Sequence, residues 1–279
     1  MKKITSFNIE SFKQRLIEEE KSSATIEKYM RDINTFHNWA RDKKLDKSCV
    51  LDYKGYLMKK YTATSVNSML SSLNSFFNYL EWFDLRVKTL KIQKQLFASK
   101  ERELTKVEYE ELLSIAERKK DQRLYLLIQA MCSTGIRVSE LRFITVEAIE
   151  HQRAEISCKG KHRYAFLPIQ LCERLKEYAQ KRQIKKGPIF VSKNGNPLDR
   201  SNIWSEIKEL SRKTGVSEKK AFPHNLRHLF ARTYYAKEKD VVRLADILGH
   251  SSVNTTRIYT METGEIHQMQ IQQLGLVRC

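Results

Sequence analysis

Apolar side chains recur every three or four residues along the first eighty positions. One series from Thr25 is Ile26, Tyr29, Met30, Ile33, Phe36, Trp39 and Ala40; a second is Val66, Met69, Leu70, Leu73, Phe76, Phe77 and Leu80. That spacing predicts two amphipathic helices, because residues three and four apart share a face at 3.6 residues per turn. Shorter helices are expected over about 9–20 and 51–61, which makes residues 1–87 a small four-helix domain with one apolar core. Between Lys88 and Glu103 the periodicity lapses into the basic stretch KTLKIQKQLFASKERE, which reads as a linker. The pattern resumes at Thr105, where Glu108 three residues on completes a capping box. Helices are predicted over 106–118, 121–133, 169–183, 200–213, 224–236, 240–248 and 253–260, with Pro223 suited to a first helical turn. Residues 154–158 and 164–167 read as strands around the basic turn CKGKHR. The expected fold is mainly α, with a second, α-rich domain over 104–279 that carries a small antiparallel β-sheet.

Composition adds a partner to this picture. The chain has 279 residues, 41% hydrophobic and 30% charged, the balance of a folded protein. Its 51 Lys and Arg against 33 Asp and Glu give a net charge of +18. Such an excess points to a polyanion, because a basic surface neutralises phosphates and releases their counterions. Residues 1–100 alone hold 19 basic and 11 acidic side chains. The five cysteines (49, 132, 158, 172 and 279) form no C-x-x-C pair, so neither a disulfide framework nor a zinc site is expected, and a reducing cytosol suits them. The N-terminus lacks an apolar signal region, and no apolar run is long enough to span a membrane; a soluble, cytoplasmic, nucleoid-associated protein is the expectation.

Four segments of the second half concentrate polar chemistry. They are TGIRVSEL (Arg137, Glu140), CKGKHR (Lys159), PHNLRH (His224, Arg227) and LGHSSVNTTRIY (His250, Tyr259). Two arginines can fork onto the non-bridging oxygens of one phosphodiester and stabilise the charge of a pentacoordinate transition state. A lysine can protonate a leaving oxygen, a histidine can accept a proton, and a tyrosine phenol can attack phosphorus. His224 and Arg227, three apart, share a helix face. Each piece alone is commonplace; their order and spacing carry the reading. No carboxylate cluster for Mg²⁺ accompanies the arginines. His224 and His228 form H-x-x-x-H, but Asn225 stands where a zinc protease has its glutamate, and no third ligand is evident. No metal and no cofactor are expected.

This set resembles the tyrosine recombinase (phage integrase) family over nearly the whole chain. The resemblance implies an N-terminal SAM-like core-binding domain and a C-terminal catalytic domain that clamp duplex DNA at inverted-repeat sites. SSATIEKYMRDINTFHNWA and TATSVNSMLSSLNSFFNYLEW look like the family's DNA-facing helices, which would bring Thr25, Lys28, Arg31, Ser65 and Asn67 to DNA, with Lys161 and Arg163 joining them from the hairpin. By the same likeness Arg137 and Arg227 would bind the scissile phosphate, with Glu140 buttressing the first. Lys159 would be the general acid for the 5′-oxygen, with Lys161 a competitor two residues on. His224 would assist proton transfer at the nucleophile, His250 would hydrogen-bond the phosphate, and Tyr259 would form a 3′-phosphotyrosine. The segment 263–279, with Ile266, Met269, Ile271, Leu274 and Leu276, would pack into a neighbouring subunit of a DNA-bound tetramer, or fold back on its own domain. The expected activity is site-specific recombination, for DNA inversion or for integration and excision of a mobile element. PHNLRHLFA is not followed by the A-T-H-L wording usual in Xer proteins, which leaves Xer-type dimer resolution as the alternative, beside a silent DNA-binding regulator. A type IB topoisomerase would share the chemistry.

Overall fold

A computed structural model describes residues 2–92, 102–119, 121–158, 161–192, 194–259 and 271–274. The chain divides into two compact units, 1–94 and 95–279.

The first unit contains helices α1 (Ser6–Glu18), α2 (Ser23–Trp39), α3 (Lys47–Lys60) and α4 (Ala63–Tyr79). Thr5 starts α1 through a capping box: its Oγ1 accepts the Asn8 N–H, and Asn8 Oδ1 accepts the Thr5 N–H. Asp46 accepts the Cys49 N–H at the start of α3. The apolar stripes meet in a core that includes Phe12, Ile33, Phe36, Tyr53, Leu70, Leu73, Phe76 and Phe77. One carboxylate lies inside it. Asp32 is 2% exposed and accepts from Lys28 Nζ at 3.0 Å and Ser72 Oγ at 2.9 Å, while Lys28 Nζ also donates to the Ser68 carbonyl. This polar junction joins α2 to α4 and fixes how they sit together.

The stretch expected as a linker is attached at its start. Asn74 exchanges two hydrogen bonds with the Val87 backbone, and Asn67 does the same with Leu90. The match is geometric: seven residues of helix rise about 10.5 Å, and three residues of extended chain span about 10 Å. The Asn67 amide, expected at DNA, therefore holds the chain as it leaves α4 and a following 3-10 turn at Phe83–Leu85.

The second unit contains α5 (Lys106–Arg118), α6 (Gln122–Thr134), a 3-10 turn at Val138–Phe143, α7 (Val146–Glu150), β1 (Arg153–Cys158), β2 (Lys161–Phe166), α8 (Ile169–Lys181), α9 (Arg200–Ser211), α10 (Pro223–Glu238), α11 (Val241–Leu248), α12 (Val253–Thr256) and a 3-10 turn at Arg257–Tyr259. The capping box of Thr105 and Glu108 starts α5. Among the described residues β1 and β2 make a two-stranded antiparallel sheet whose register pairs Arg153 with Phe166 and Cys158 with Lys161. The fold is mainly α with a small sheet. Two details differ from the sequence pattern. β2 begins at Lys161, because Lys161, His162 and Arg163 pair across to β1 despite their polar character. The helix expected over 253–260 breaks after Thr256 into the 3-10 turn that carries Tyr259. Arg102, Glu103 and Leu104 are held by α10: Asn225 donates to the Arg102 carbonyl, and Arg232 donates to Glu103 and the Leu104 carbonyl. No helix among the described residues is long and apolar enough to cross a membrane.

Asp32→Ala would leave Lys28 and Ser72 without their shared acceptor inside the first unit. The substitution should cost about 2 kcal/mol, read as a lower urea midpoint with an unchanged slope; an unaltered midpoint would show that the junction contributes nothing to stability.

Candidate active site

Two helices of the second unit end in the same way. Gly135 closes α6 and Gly249 closes α11, both in the left-handed conformation, with φ of 63° and 64°. Such ends leave carbonyl oxygens without helical donors. Arg227, on α10 and 2% exposed, fills both: its Nη1 donates to the Gly135 carbonyl and its Nη2 to the Leu248 carbonyl at 2.6 Å. The negative ends of two helix dipoles thus face one buried guanidinium. Burial above all, then Arg137, pulls its pKa down to about 10, which leaves it a cation at neutral pH.

Arg227 Nη2 also lies 3.0 Å from His250 Nε2. A guanidinium only donates, so Nε2 is the acceptor and Nδ1 carries the proton, donated to Thr256 Oγ1 at 2.8 Å. Thr256 is fully buried and can either accept or donate, so it supports either tautomer of His250. The sequence reading missed Thr256, since a Thr in a short helix carries no signal of its own.

Arg137 stands before the 3-10 turn at 138–143. Glu140 accepts from its Nη1 at 2.9 Å and from its backbone N–H at 2.9 Å, and Arg137 Nη2 reaches the Gly249 carbonyl at 3.4 Å. Burial alone would raise the Glu140 pKa, but the Arg137 N–H and the Arg163 guanidinium outweigh it, so the carboxyl titrates low. Arg163 was expected at DNA. It is half-buried, donating to Glu140 Oε2 at 2.6 Å and to the Ile247 carbonyl at 2.9 Å. Its inward position follows from strand alternation opposite Ile156.

Tyr259 is 3% exposed, packed with Ala231, Leu244 and Leu248. Its ring meets His228 edge-on at 4.7 Å and lies nearly parallel to His250 at 6.0 Å. His224, one helical turn before His228, stands 4.3 Å from it at the open side. All three imidazoles are neutral at pH 7. Partial desolvation first, then Arg227 and Arg137, lowers His224; desolvation and His224 lower His228 to about 3; desolvation and Arg227 lower His250 to about 4. Of these residues Arg137, His224 and Arg227 line a cleft of about 490 Å³, together with Arg200, Trp204 and Phe222. A cationic cleft of this kind suits a phosphate group.

The structure therefore brings together Arg137, Glu140, His224, Arg227, His250 and Tyr259. Lys159 and the side chain of Lys161 lie outside the described residues, as does the segment expected to exchange between subunits apart from 271–274. In the first unit, Thr25 bonds Ser22 at the start of α2, Lys28 belongs to the Asp32 junction, Arg31 is exposed beside Asp32, and Ser65 pairs with Thr62.

Comparison with known proteins agrees with this geometry. The phage integrase family matches residues 102–265, and the family's N-terminal SAM-like domain matches residues 9–83. The chain belongs to this family, the tyrosine recombinases, and is an enzyme of site-specific DNA recombination. The tyrosine recombinase XerA of Thermococcus kodakarensis is 30% identical over 267 residues, covering 92% of this chain and 91% of that protein. A crystal structure of a XerA recombinase aligns over 99% of this chain and all of that one, with 25% identity and a TM-score of 0.54. The XerH recombinase bound to a palindromic difH substrate after cleavage shares the fold, with 20% identity, a TM-score of 0.73 and coverage of 96% of this chain and 84% of that one.

The depressed histidines make the second unit acid-sensitive. Unfolded imidazoles titrate near 6.5, whereas His228 and His250 in the folded chain do so at about 3 and about 4. The unfolded state then binds protons first, so stability is full above pH 6.5 and declines between 6.5 and about 3. Unfolding midpoints measured across this range should fall, and His228→Phe, which keeps a ring against Tyr259, should make the fall shallower. An equal slope in both proteins would contradict the assigned protonation.

Proposed function

We propose that the chain exchanges strands between short inverted-repeat sites through the six residues Arg137, Lys159, His224, Arg227, His250 and Tyr259. The observation that supports it most is the packing of a tyrosine against neutral histidines beside two arginines. Tyr259 Oη attacks the scissile phosphorus, the P–O5′ bond breaks, and a 3′-phosphotyrosine forms. The phenolic proton passes to His224, which is neutral and open to the cleft. Lys159 gives its proton to the departing 5′-oxygen. Arg137 and Arg227 meet the non-bridging oxygens; three N–H groups of Arg227 are engaged with described residues, which leaves two for phosphate. His250 joins them as a donor once its proton moves from Nδ1 to Nε2: Thr256 then donates to Nδ1, and the Arg227 N–H that Nε2 had accepted is released to the phosphate. A 5′-hydroxyl of the partner strand then reverses the step, and the phosphotyrosine conserves the energy of the bond.

On this reading residues 1–87 bind the outer face of the site through Thr25, Arg31 and Ser65, residues 104–279 cleave, and the segment 263–279 links subunits of a tetramer. The biological use we favour is inversion or element mobility. The likeness to XerA, over about nine-tenths of both chains, favours a second use, dimer resolution. Mapping the cleaved sequence in the genome separates them: flanking repeats indicate the first, a lone chromosomal site the second.

The test begins with nicked duplexes of random sequence, from which covalent protein–DNA complexes are recovered. The intact chain should yield adducts, and Tyr259→Phe should abolish them while leaving DNA retention unchanged; an adduct that persists removes Tyr259 as nucleophile. Arg137→Ala should slow adduct formation by about 10²–10³ at saturating DNA, and an effect confined to affinity would make Arg137 an ordinary DNA contact. With the selected duplex carrying a 5′-bridging sulfur, whose leaving group needs no proton, Lys159→Ala should regain wild-type cleavage. Rescue of Lys161→Ala instead would assign the acid to Lys161.

A further inference from the structure

The geometry points to Arg163 as a positioning residue that holds Arg137 in register with the turn before His250. The inference rests on the proposed role of Arg137 at the scissile phosphate. Arg163 is a cation that does not line the cleft: its side chain is 12% exposed, and its fork is closed by Glu140 Oε2 and the Ile247 carbonyl. Each partner carries a catalytic group. The other oxygen of Glu140 holds Arg137 Nη1, and the chain from Ile247 continues directly through Gly249 to His250. Arg137 closes the loop by reaching the Gly249 carbonyl.

Gly249 shows how closely these parts are fitted. A Cβ there would stand 2.3 Å from Arg163 Cδ and 2.7 Å from its Nε, and φ is +64° besides. The glycine lets the stem of Arg163 pass beneath the turn, so that strand β2, the 3-10 turn of Arg137 and the end of α11 meet at one guanidinium. Lysine cannot replace this function, because a single ammonium lacks the planar fork that spans a carboxylate and a carbonyl at once. Without Arg163, Glu140 keeps Arg137 as a partner but loses its second anchor. Arg137 then moves with an unanchored carboxylate, and small misplacements at a transition state are costly.

This role predicts a substrate-dependent defect. With the selected nicked duplex at saturation, Arg163→Met and Arg163→Lys should slow adduct formation by on the order of 10–100-fold, with half-site affinity unchanged. The diagnostic probe is the same duplex with a methylphosphonate at the scissile position, prepared as both diastereomers. Methyl in place of a charged oxygen removes the charge that Arg137 neutralises, so one diastereomer should suppress the Arg137→Ala defect. On that diastereomer the Arg163 defects should shrink in parallel, whereas a general loosening of the fold would slow both substrates alike. Equal defects on the two substrates, or wild-type rates on the phosphodiester, overturn the inference. Loss of folded protein in both variants also overturns it, by making Arg163 a residue of stability alone. If neither diastereomer relieves Arg137→Ala, the proposed role of Arg137 fails first, and the inference with it.

Discussion

The catalytic unit is organised around one buried cation. Arg227 could not remain charged inside protein without compensation, and the compensation comes from two helix ends rather than from a carboxylate. Carbonyls at the ends of α6 and α11 are oriented, fixed by the left-handed glycines behind them, and at the negative ends of their helices. A carboxylate directly on Arg227 would cancel the charge a phosphate needs. Carbonyls stabilise the guanidinium while leaving its net charge available. The segment from Leu248 to His250 is thereby attached to α10, and His250 is brought to Arg227 by the same contact.

A different solution serves Arg137. Glu140 neutralises part of the local charge, yet Arg163 faces the same carboxylate from the other side. Two arginines share one glutamate, and Arg137, Arg227 and His224 line the cleft. The histidines complement this by remaining neutral. They add hydrogen-bonding capacity without further repulsion, and partial desolvation together with Arg227 and Arg137 favours the neutral form of His224. The overall charge of +18 acts at longer range, favouring encounter with a polyanion, while on the proposed reading this small group acts on one phosphate.

The proposed nucleophile depends on packing. Tyr259 is buried among Ala231, Leu244, Leu248 and the rings of His228 and His250, at the end of a short 3-10 turn. Its position is therefore set by side chains from α10 and α11. Thr256 and His228 matter here for reasons that no motif announces: one supplies a hydroxyl that tolerates either tautomer, and the other supplies a ring edge.

The sequence by itself determined the helical units, because the periodicity of Ile26 to Ala40 and Val66 to Leu80 is a local property that burial then uses. It also determined the capping box at Thr105 and the chemical types that converge at the site, since Arg137, His224, Arg227, His250 and Tyr259 lie in recognisable order. Short elements such as the turn at 138–143 and α7 escaped, being shorter than the window over which periodicity can be read. What only the tertiary structure decided was the use of each polar side chain. Lys28, Asn67 and Arg163 look in the sequence like surface groups awaiting DNA. In the fold Lys28 bonds a buried aspartate, Asn67 pairs with the Leu90 backbone, and Arg163 bridges Glu140 to the end of α11. The physical reason is that a polar group's role depends on which unpaired donors and acceptors lie within about 3 Å of it. Asp32 lies one helical turn from Lys28, but the partners of Asn67 and Arg163 lie 23 to 84 positions away along the chain.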